Sequence, residues 1–213
     1  MKLQLALDVL TLQDALSLAR AVEDCVDRFE MGTPFLLEYG MEAVRRFRAA
    51  FPEKEILADT KIMDAGALEA ESAFRAGADF VTVLAVTDRA TTAACVEAAR
   101  RAGGQVVADL ICVEDLPGEA AALEAIGVHG LAVHVGVDQQ ARGRTPLGDL
   151  QAIRHCVRRA EVSVAGGISR STLPDYCALC PDVLIVGGAI ASAPDPAGEA
   201  RAIRQAITRH SAP

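Results

Sequence analysis

Short apolar segments alternate along this chain with longer stretches whose apolar residues recur at helical spacing. The short segments contain β-branched residues and are typical of buried strands, whereas the longer, Ala-rich stretches are typical of helices that pack on a sheet. The clearest helices are predicted at 11–23, 41–50, 67–76, 89–102 and 118–126. Eight strands are predicted, and they begin at Leu3, Val26, Glu55, Asp79, Gln105, Gly130, Val162 and Val183.

This alternation predicts a mainly parallel sheet, because parallel strands are joined by helical crossovers. Eight strand–helix units in 213 residues match an α/β fold with one domain, a (β/α)₈ or TIM barrel over residues 1–213. The main alternative is a doubly wound open sheet. That fold normally has a glycine-rich turn after its first strand, and this chain has Asp8-Val9-Leu10-Thr11 there instead.

Composition and charge narrow the function classes. Hydrophobic residues make up 51% of the chain, enough for a sizeable core, and the net charge is −8 from 21 basic and 29 acidic residues. A basic cluster dense enough to bind a phosphate backbone is missing from the sequence, so we expect no nucleic-acid partner. We also expect no membrane association, because no apolar run is long enough to span a bilayer and the first strand begins close to Met1. The expected location is cytoplasmic.

Six cysteines are scattered along the chain, and reduced packing residues are the expected interpretation. The pair Cys177-x-x-Cys180 has the spacing of a redox or zinc motif. A zinc site needs further ligands, however, and a redox pair normally sits at the start of a helix, whereas this pair falls late in one.

Ionisable residues occur where the predicted strands end, and in a barrel those ends form the active-site face. Taken singly, each could cap a helix or make a buried hydrogen bond. Taken together, five strands that carry such residues to one rim indicate a catalytic site. In the segment 58–66, Asp59 and Lys61 share one face of a strand and Asp64 follows in the turn. The candidates are Asp8, Glu30, Asp59, Lys61, Asp64, Asp109 and His134.

Paired glycines close the last two predicted strands, at Gly166–Gly167 and Gly187–Gly188. Glycine lets backbone N–H groups approach an anion without obstruction, and helices that start there would favour negative charge. Barrels often bind phosphate after strands seven and eight. The two pairs therefore predict a site for a sugar phosphate or a similar small phosphorylated ligand.

These motifs resemble those of the orotidine monophosphate decarboxylase suprafamily and, within it, of the 3-hexulose-6-phosphate synthases. The matching segments extend from the first strand to the last in the same order. They are ALD (6–8), FEMGTP (29–34), ADTKIMDAG (58–66), AVHVGVDQQA (132–141), VAGGI (164–168) and DVLIVGGAI (182–190). The resemblance implies a Mg²⁺-dependent aldehyde-lyase that condenses formaldehyde with D-ribulose 5-phosphate through an enediolate in a reversible reaction.

The resemblance also implies roles for the candidate residues. Glu30 and Asp59 would bind Mg²⁺, whose hard character suits carboxylate oxygens. Lys61 would stabilise the developing oxyanion, with Asp8 and Asp64 orienting its ammonium group. It further implies a homodimer in which Asp64 reaches into the active site of the neighbouring subunit.

His134 is the candidate base for the proton on C1 of the substrate, because an imidazole with a pKa near neutrality can accept it. Asp109 would position this base or a substrate hydroxyl group.

Two alternatives to the synthase remain open. The first is a 3-keto-L-gulonate-6-phosphate decarboxylase (KGPDC), which typically has Glu, Arg and Thr where this chain has Asp109, Val137 and Ala165, and Arg where it has Gly188. A synthase needs its enediolate to survive until formaldehyde arrives, and an apolar wall at Val137 and Ala165 fits that requirement. The second alternative is a non-catalytic barrel that binds a sugar phosphate.

Two positions depart from the usual family pattern, Thr60 within the central motif and Val135 after the histidine. Both changes could alter substrate preference.

Overall fold

The computed structural model describes residues 1–211, and their strands form a closed parallel barrel in the order β1 to β8, with β8 pairing back to β1. The strands are β1 Lys2–Leu7, β2 Arg28–Met31, β3 Glu55–Ile62, β4 Phe80–Leu84, β5 Gln105–Asp109, β6 Gly130–His134, β7 Glu161–Ala165 and β8 Val183–Val186. Each strand begins within two residues of its predicted start. The barrel prediction is confirmed, and closure excludes the open sheet.

Helices follow the strands and surround the barrel. They are α1 Leu12–Val22, α2 Thr33–Tyr39, α3 Met41–Ala50, α4 Gly66–Arg75, α5 Arg89–Ala102, α6 Leu116–Ile126, α7 Val137–Gln140, α8 Leu147–Cys156, α9 Leu173–Ala178, α10 Gly188–Ala191 and α11 Pro196–Ser211, with a short 3₁₀ helix at Glu23–Cys25. Local signals set several boundaries. Thr11 accepts a hydrogen bond from the N–H of Asp14 at the start of α1, and Asp88 caps α5 in the same way.

The main hydrophobic core lies between the strands and this outer layer of helices. A separate small cluster inside the barrel consists of Leu57, Phe80, Val107 and Ala132. It belongs to the packed interior that is usual for an eight-stranded barrel, where side chains from neighbouring strands form layers. The open space therefore lies above this cluster, at the carboxyl ends of the strands.

All six cysteines are free thiols. Cys177 is buried near the end of α9, whereas Cys180 is exposed in the following loop and so is not a packing residue. Within residues 1–211, no helix is both long and apolar enough to cross a membrane.

Candidate active site

A cavity of about 770 Å³ opens at the carboxyl ends of the strands. It brings together nine of the eleven residues expected from the sequence to form the site. They are Asp8, Glu30, Asp59, Lys61, Asp109, His134, Gly166, Gly187 and Gly188. The other two, Asp64 and Gly167, do not line it. Parallel strands deliver their last side chains to one end of the barrel, which is why residues so far apart in sequence converge.

Asp59 is the most heavily hydrogen-bonded carboxylate of the site. Its Oδ1 accepts a hydrogen bond of 2.7 Å from Thr82 Oγ1, and its Oδ2 accepts one of 2.8 Å from Thr33 Oγ1. Lys61 Nζ lies 2.5 Å from Oδ2. The side chain is 8% exposed, so these donors replace most of the water that an aspartate would otherwise bind. Asp59 is therefore held in one orientation.

An irregularity in β3 directs Lys61 into the cavity. The pairing of β3 with β4 shifts register between Ala58 and Ile62, and Lys61 has a φ of 46°, an uncommon value for a residue other than glycine. Two hydrogen bonds hold this conformation, because Lys61 N donates to Thr82 Oγ1 and Thr60 Oγ1 donates to the carbonyl oxygen of Thr82. The backbone of the strand is thus strained at the residue that carries the ammonium group.

The ammonium group of Lys61 contacts two carboxylates, since Nζ pairs with Asp59 and also lies 3.3 Å from Oδ2 of Asp109. Burial by itself would lower the pKa of Lys61, but the charges of Asp59 and Asp109 outweigh it and raise that pKa. Lys61 is therefore a permanent positive charge in the cavity.

Asp109 and His134 form a second pair. His134 Nδ1 lies 2.9 Å from Asp109 Oδ2, and Asp109 also accepts a hydrogen bond from the N–H of Ile111. Burial would raise the pKa of Asp109, but its hydrogen bond to His134 and the charges of His134 and Lys61 lower it. An ionised carboxylate only accepts hydrogen bonds, so Nδ1 is the donor and Nε2 is left as the basic nitrogen.

Glu30 is buried beside this cluster and accepts a hydrogen bond of 2.5 Å at Oε2 from Gln4 Nε2. Burial and the charge of Asp59 raise the pKa of Glu30 to about 8. Asp8 is accessible from the cavity mouth, yet desolvation by the walls and the charge of Asp59 raise its pKa as well. Neighbouring carboxylates repel one another when they are all ionised. A bound cation would offset this repulsion and lower their pKa values.

The donor chemistry fits Mg²⁺, because Glu30 and Asp59 supply hard carboxylate oxygens to one cavity. Among residues 1–211, no group of three or more His, Cys, Asp and Glu side chains is arranged to hold a metal ion by itself.

The glycine pairs differ in their surroundings. Gly166 has a φ of 121°, and a Cβ there would lie 2.8 Å from the carbonyl oxygen of Val135, so this turn requires glycine. The helix expected directly after Gly167 is wrong, because α9 begins only at Leu173. Gly188 faces open space, so a ligand can approach its backbone closely.

Asp64 does not line the cavity of its own chain. It is exposed and its carboxylate accepts a hydrogen bond from the N–H of Ala65. Two large apolar side chains close to it in the chain, Met63 and Leu68, are more than half exposed. The ion pairs of Lys61 go to Asp59 and Asp109 and not to Asp64.

Sequence reasoning missed the residues that support the charged ones. Thr33 and Thr82 hold Asp59, and Gln4 holds Glu30. Gly32 was also missed, where a Cβ would lie 2.0 Å from Asp8 Oδ1. A signal was present for two of them, because Gln4 and Thr82 are polar residues inside the apolar strand segments KLQLAL and FVTVL. A polar residue at an inward position of a barrel strand has to bond with another inward residue.

A second hollow, of about 1010 Å³, lies at the opposite end of the barrel. Charged side chains around the amino ends of the strands line it, including Lys2, Arg158 and Arg159. In (β/α)₈ barrels this end contributes to stability whereas the chemistry takes place at the other end. We therefore assign the site to the smaller cavity.

The family model of orotidine 5'-phosphate decarboxylase / HUMPS matches residues 1–203. The chain belongs to this family. A 3-hexulose-6-phosphate synthase from Bacillus subtilis is 42% identical over 209 residues, which cover 98% of this chain and all of the relative. The crystal structure of a 3-hexulose-6-phosphate synthase from Salmonella typhimurium is 53% identical, with a TM-score of 0.96 over 99% of this chain and 100% of that chain.

A more distant family member bears on the alternative activity. The structure of KGPDC from Streptococcus mutans in complex with a pentose 5-phosphate is 31% identical to this chain, with a TM-score of 0.92 over 99% of both chains. The fold is therefore shared across the family, whereas sequence identity is clearly higher to the synthases.

Proposed function

We propose that this chain is a 3-hexulose-6-phosphate synthase, an aldehyde-lyase that condenses formaldehyde with D-ribulose 5-phosphate and catalyses the reverse cleavage. The observation that carries the proposal is the composition of the cavity. A histidine base and an ammonium group face the same space, and Val137 and Ala165 form part of its wall where KGPDCs typically have polar side chains. Full-length identity of 42–53% to synthases supports the same assignment.

The first step is removal of a proton from C1 of ribulose 5-phosphate by Nε2 of His134. Asp109 keeps the proton of the free imidazole on Nδ1 and stabilises the imidazolium that forms, through the 2.9 Å contact. The electrons of the C–H bond move into an enediolate. Lys61 lies within this cavity and offers its positive charge to the oxygen that becomes negative.

The second step forms the carbon–carbon bond. C1 of the enediolate attacks the carbon of formaldehyde, the C=O π electrons move onto the aldehyde oxygen, and that oxygen takes a proton from the imidazolium. The product is D-arabino-3-hexulose 6-phosphate, and His134 returns to its neutral form. Mg²⁺, held by Glu30 and Asp59, would supply Lewis-acid polarisation of the substrate oxygens.

The phosphate group of the substrate belongs at the glycine turns after β7 and β8. Gly166, Gly187 and Gly188 line that side of the cavity, and their backbone can approach an anion without side-chain obstruction. No arginine lines the cavity among residues 1–211. Phosphate recognition therefore rests on backbone donors, with the adjacent Gly167 shaping the turn.

A homodimer with shared active sites is part of the proposal, because the family resemblance implies that Asp64 serves the neighbouring subunit and Asp64 does not line the cavity of its own chain. The exposed apolar residues Met63 and Leu68, close to Asp64 in the chain, would offer such an interface apolar surface. The cytoplasmic location expected from the sequence belongs to the same proposal.

The test is to mix purified protein, Mg²⁺, ribulose 5-phosphate and formaldehyde and to follow loss of the aldehyde. We expect turnover that EDTA abolishes and added Mg²⁺ restores. Lys61→Ala should reduce turnover by at least about 10²-fold, the usual effect of removing one preorganised donor. Lys54→Ala is the matched control, since Lys54 Nζ binds the carbonyl oxygens of Glu23 and Val26 outside the cavity. Activity that is indifferent to the chelator would remove Mg²⁺ from the proposal.

The two alternatives give different results with the same preparation. Release of carbon dioxide from 3-keto-L-gulonate 6-phosphate, without formaldehyde consumption, would identify a decarboxylase. Binding of ribulose 5-phosphate without exchange of its C1 proton with solvent would identify a non-catalytic barrel.

A further inference from the structure

A buried arginine lies inside the barrel below the active-site cavity. Arg28 is 1% exposed, and its guanidinium carbon lies 3.8 Å from the centroid of the Phe80 ring. Arg28 Nε donates to Glu55 at 2.8 Å and Nη2 donates to Glu161 at 3.0 Å. The proposed mechanism leaves this side chain without a role. Its charge is balanced by the two glutamates, and its planar group is fixed on three sides.

The remaining donor of Arg28 points toward the active site. Nη1 contacts Gln4 Oε1 at 3.2 Å, and the other end of the same amide, Nε2, contacts Glu30 Oε2 at 2.5 Å. The barrel register explains this geometry, because Gln4 pairs with Arg28 across β1 and β2 while Ala6 pairs with Glu30. Three inward side chains of two neighbouring strands thus form one connected row.

Hydrogen-bonding chemistry gives this row a direction. A guanidinium group has donors only, so the Gln4 atom that it contacts has to be the amide oxygen. The amide nitrogen then faces Glu30 and donates to its Oε2. Rotating the amide by half a turn would place donor against donor at Arg28 and oxygen against oxygen at Glu30. Gln4 therefore has a single favourable orientation.

Resting on the proposed Mg²⁺-dependent function, we infer that Gln4, oriented by Arg28, is a positioning residue that presents Glu30 to the divalent cation. The amide occupies Oε2 and leaves Oε1 for the cavity. Side chains that orient a metal ligand in this way commonly change metal affinity by about 10- to 100-fold when they are replaced.

The experiment measures the dissociation constant of Mn²⁺, a hard divalent probe for the Mg²⁺ site, by the EPR signal of free Mn²⁺ with ribulose 5-phosphate present. Gln4→Leu should raise this constant at least about tenfold. Turnover at saturating Mg²⁺ should fall by a smaller factor. Arg28→Lys retains the positive charge but not the planar set of donors, and it should shift the constant in the same direction. It also keeps the test available if Gln4→Leu does not fold.

Arg48→Met is the matched control. Arg48 is another arginine with many hydrogen bonds, to the carbonyl oxygens of Gly77, Pro52 and Lys54, but it lies on α3 outside the barrel. Its loss should lower the unfolding temperature and leave Mn²⁺ affinity unchanged. Wild-type Mn²⁺ affinity in a folded Gln4→Leu protein would overturn the inference, and so would an equal weakening in Arg48→Met.

The outcome separates the inference from the proposed function. If the wild-type protein condenses formaldehyde while Gln4→Leu binds Mn²⁺ normally, only the positioning role is wrong. If Gln4→Leu weakens Mn²⁺ binding but the wild-type protein consumes no formaldehyde, the proposed reaction is wrong and the positioning role stands.

Discussion

His134 and Asp109 face each other across β6 and β5, with Nδ1 of the imidazole 2.9 Å from Oδ2 of the carboxylate. This contact decides which nitrogen of His134 is basic, and it also adjusts the basicity. Burial alone would lower the pKa of His134, whereas the hydrogen bond and the charge of Asp109 raise it above its ordinary value of 6.5. Lys61 opposes that rise and Asp59 adds to it.

A pH profile follows from this pair. The base has to be neutral, so kcat/KM should fall as the pH drops through a value above 6.5. Asp109→Asn removes the charge that favours the imidazolium, the pKa of His134 then decreases, and the acidic limb should move to lower pH while the maximal rate also falls. The measurement is the rate of C1 proton exchange against pH. Asp149→Asn, which alters an exposed pair with Arg144, should leave the limb in place. An unmoved limb in Asp109→Asn would show that His134 is not the titrating base.

Val137 provides a test of specificity. It lines the cavity and is 79% exposed, so a larger side chain fits there without repacking the core. Val137→Arg introduces hydrogen-bond donors that can order a protonating water, at the position where KGPDCs typically have arginine. We expect faster release of carbon dioxide from 3-keto-L-gulonate 6-phosphate and slower formaldehyde condensation, because the enediolate is protonated sooner.

The control for that prediction is an arginine elsewhere on the rim. Val9 also lines the cavity and is 87% exposed. Val9→Arg should not raise decarboxylation. If both variants gain it equally, the effect comes from added charge and the position of Val137 is immaterial.

Shared active sites predict complementation between inactive variants. Asp64→Ala and Lys61→Ala damage residues that one site would draw from different chains. A mixed dimer of the two then contains one intact site, and random pairing should restore about a quarter of wild-type activity. The measurement is formaldehyde consumption after co-expression or subunit exchange.

The matched control combines Lys61→Ala with His134→Ala. These two residues line the cavity of the same chain, so no mixed dimer contains an intact site. We expect no recovery in this pair. Equal recovery in both mixtures, or none in either, contradicts the sharing of Asp64.

Gly166 should matter for substrate binding beyond its effect on stability. Gly166→Ala places a Cβ 2.8 Å from the carbonyl oxygen of Val135 in a backbone with positive φ, so the phosphate turn has to move. Gly103→Ala imposes similar backbone strain, with a φ of 72°, at the open end of α5. Each should lose about 1–2 kcal/mol of stability from the positive φ, and Gly166→Ala should lose more because of the added backbone clash. Only Gly166→Ala should raise the KM for ribulose 5-phosphate severalfold, and equal KM values in the two variants would remove this turn from substrate binding.

The barrel could be predicted from the sequence because its information is local. Apolar segments with β-branched residues mark the strands, and helical spacing marks the segments between them. The strand β5 begins at its predicted residue and α3 and α5 have their predicted bounds. The exception was the helix expected after Gly167, where glycines with positive φ continue as an irregular turn up to α9.

The charged residues of the site could also be predicted, since the end of each parallel strand falls at one face. The hydrophobic pattern could not predict which of these charged residues pair with each other. That His134 bonds Asp109, or that Lys61 reaches both Asp59 and Asp109, depends on the barrel register and on the irregularity in β3. Neither is encoded in spacing along one strand.

The sequence by itself determined the order of strands and helices, the rim on which chemistry is placed, and the family. Only the tertiary structure decided that Gln4 joins the buried Arg28 to Glu30. The physical reason is that periodicity reports which face a side chain occupies, whereas hydrogen bonds between strands depend on closure of the sheet. Closure of the barrel pairs β1 with β8. The register of β1 with its neighbours then decides which inward side chains lie next to each other.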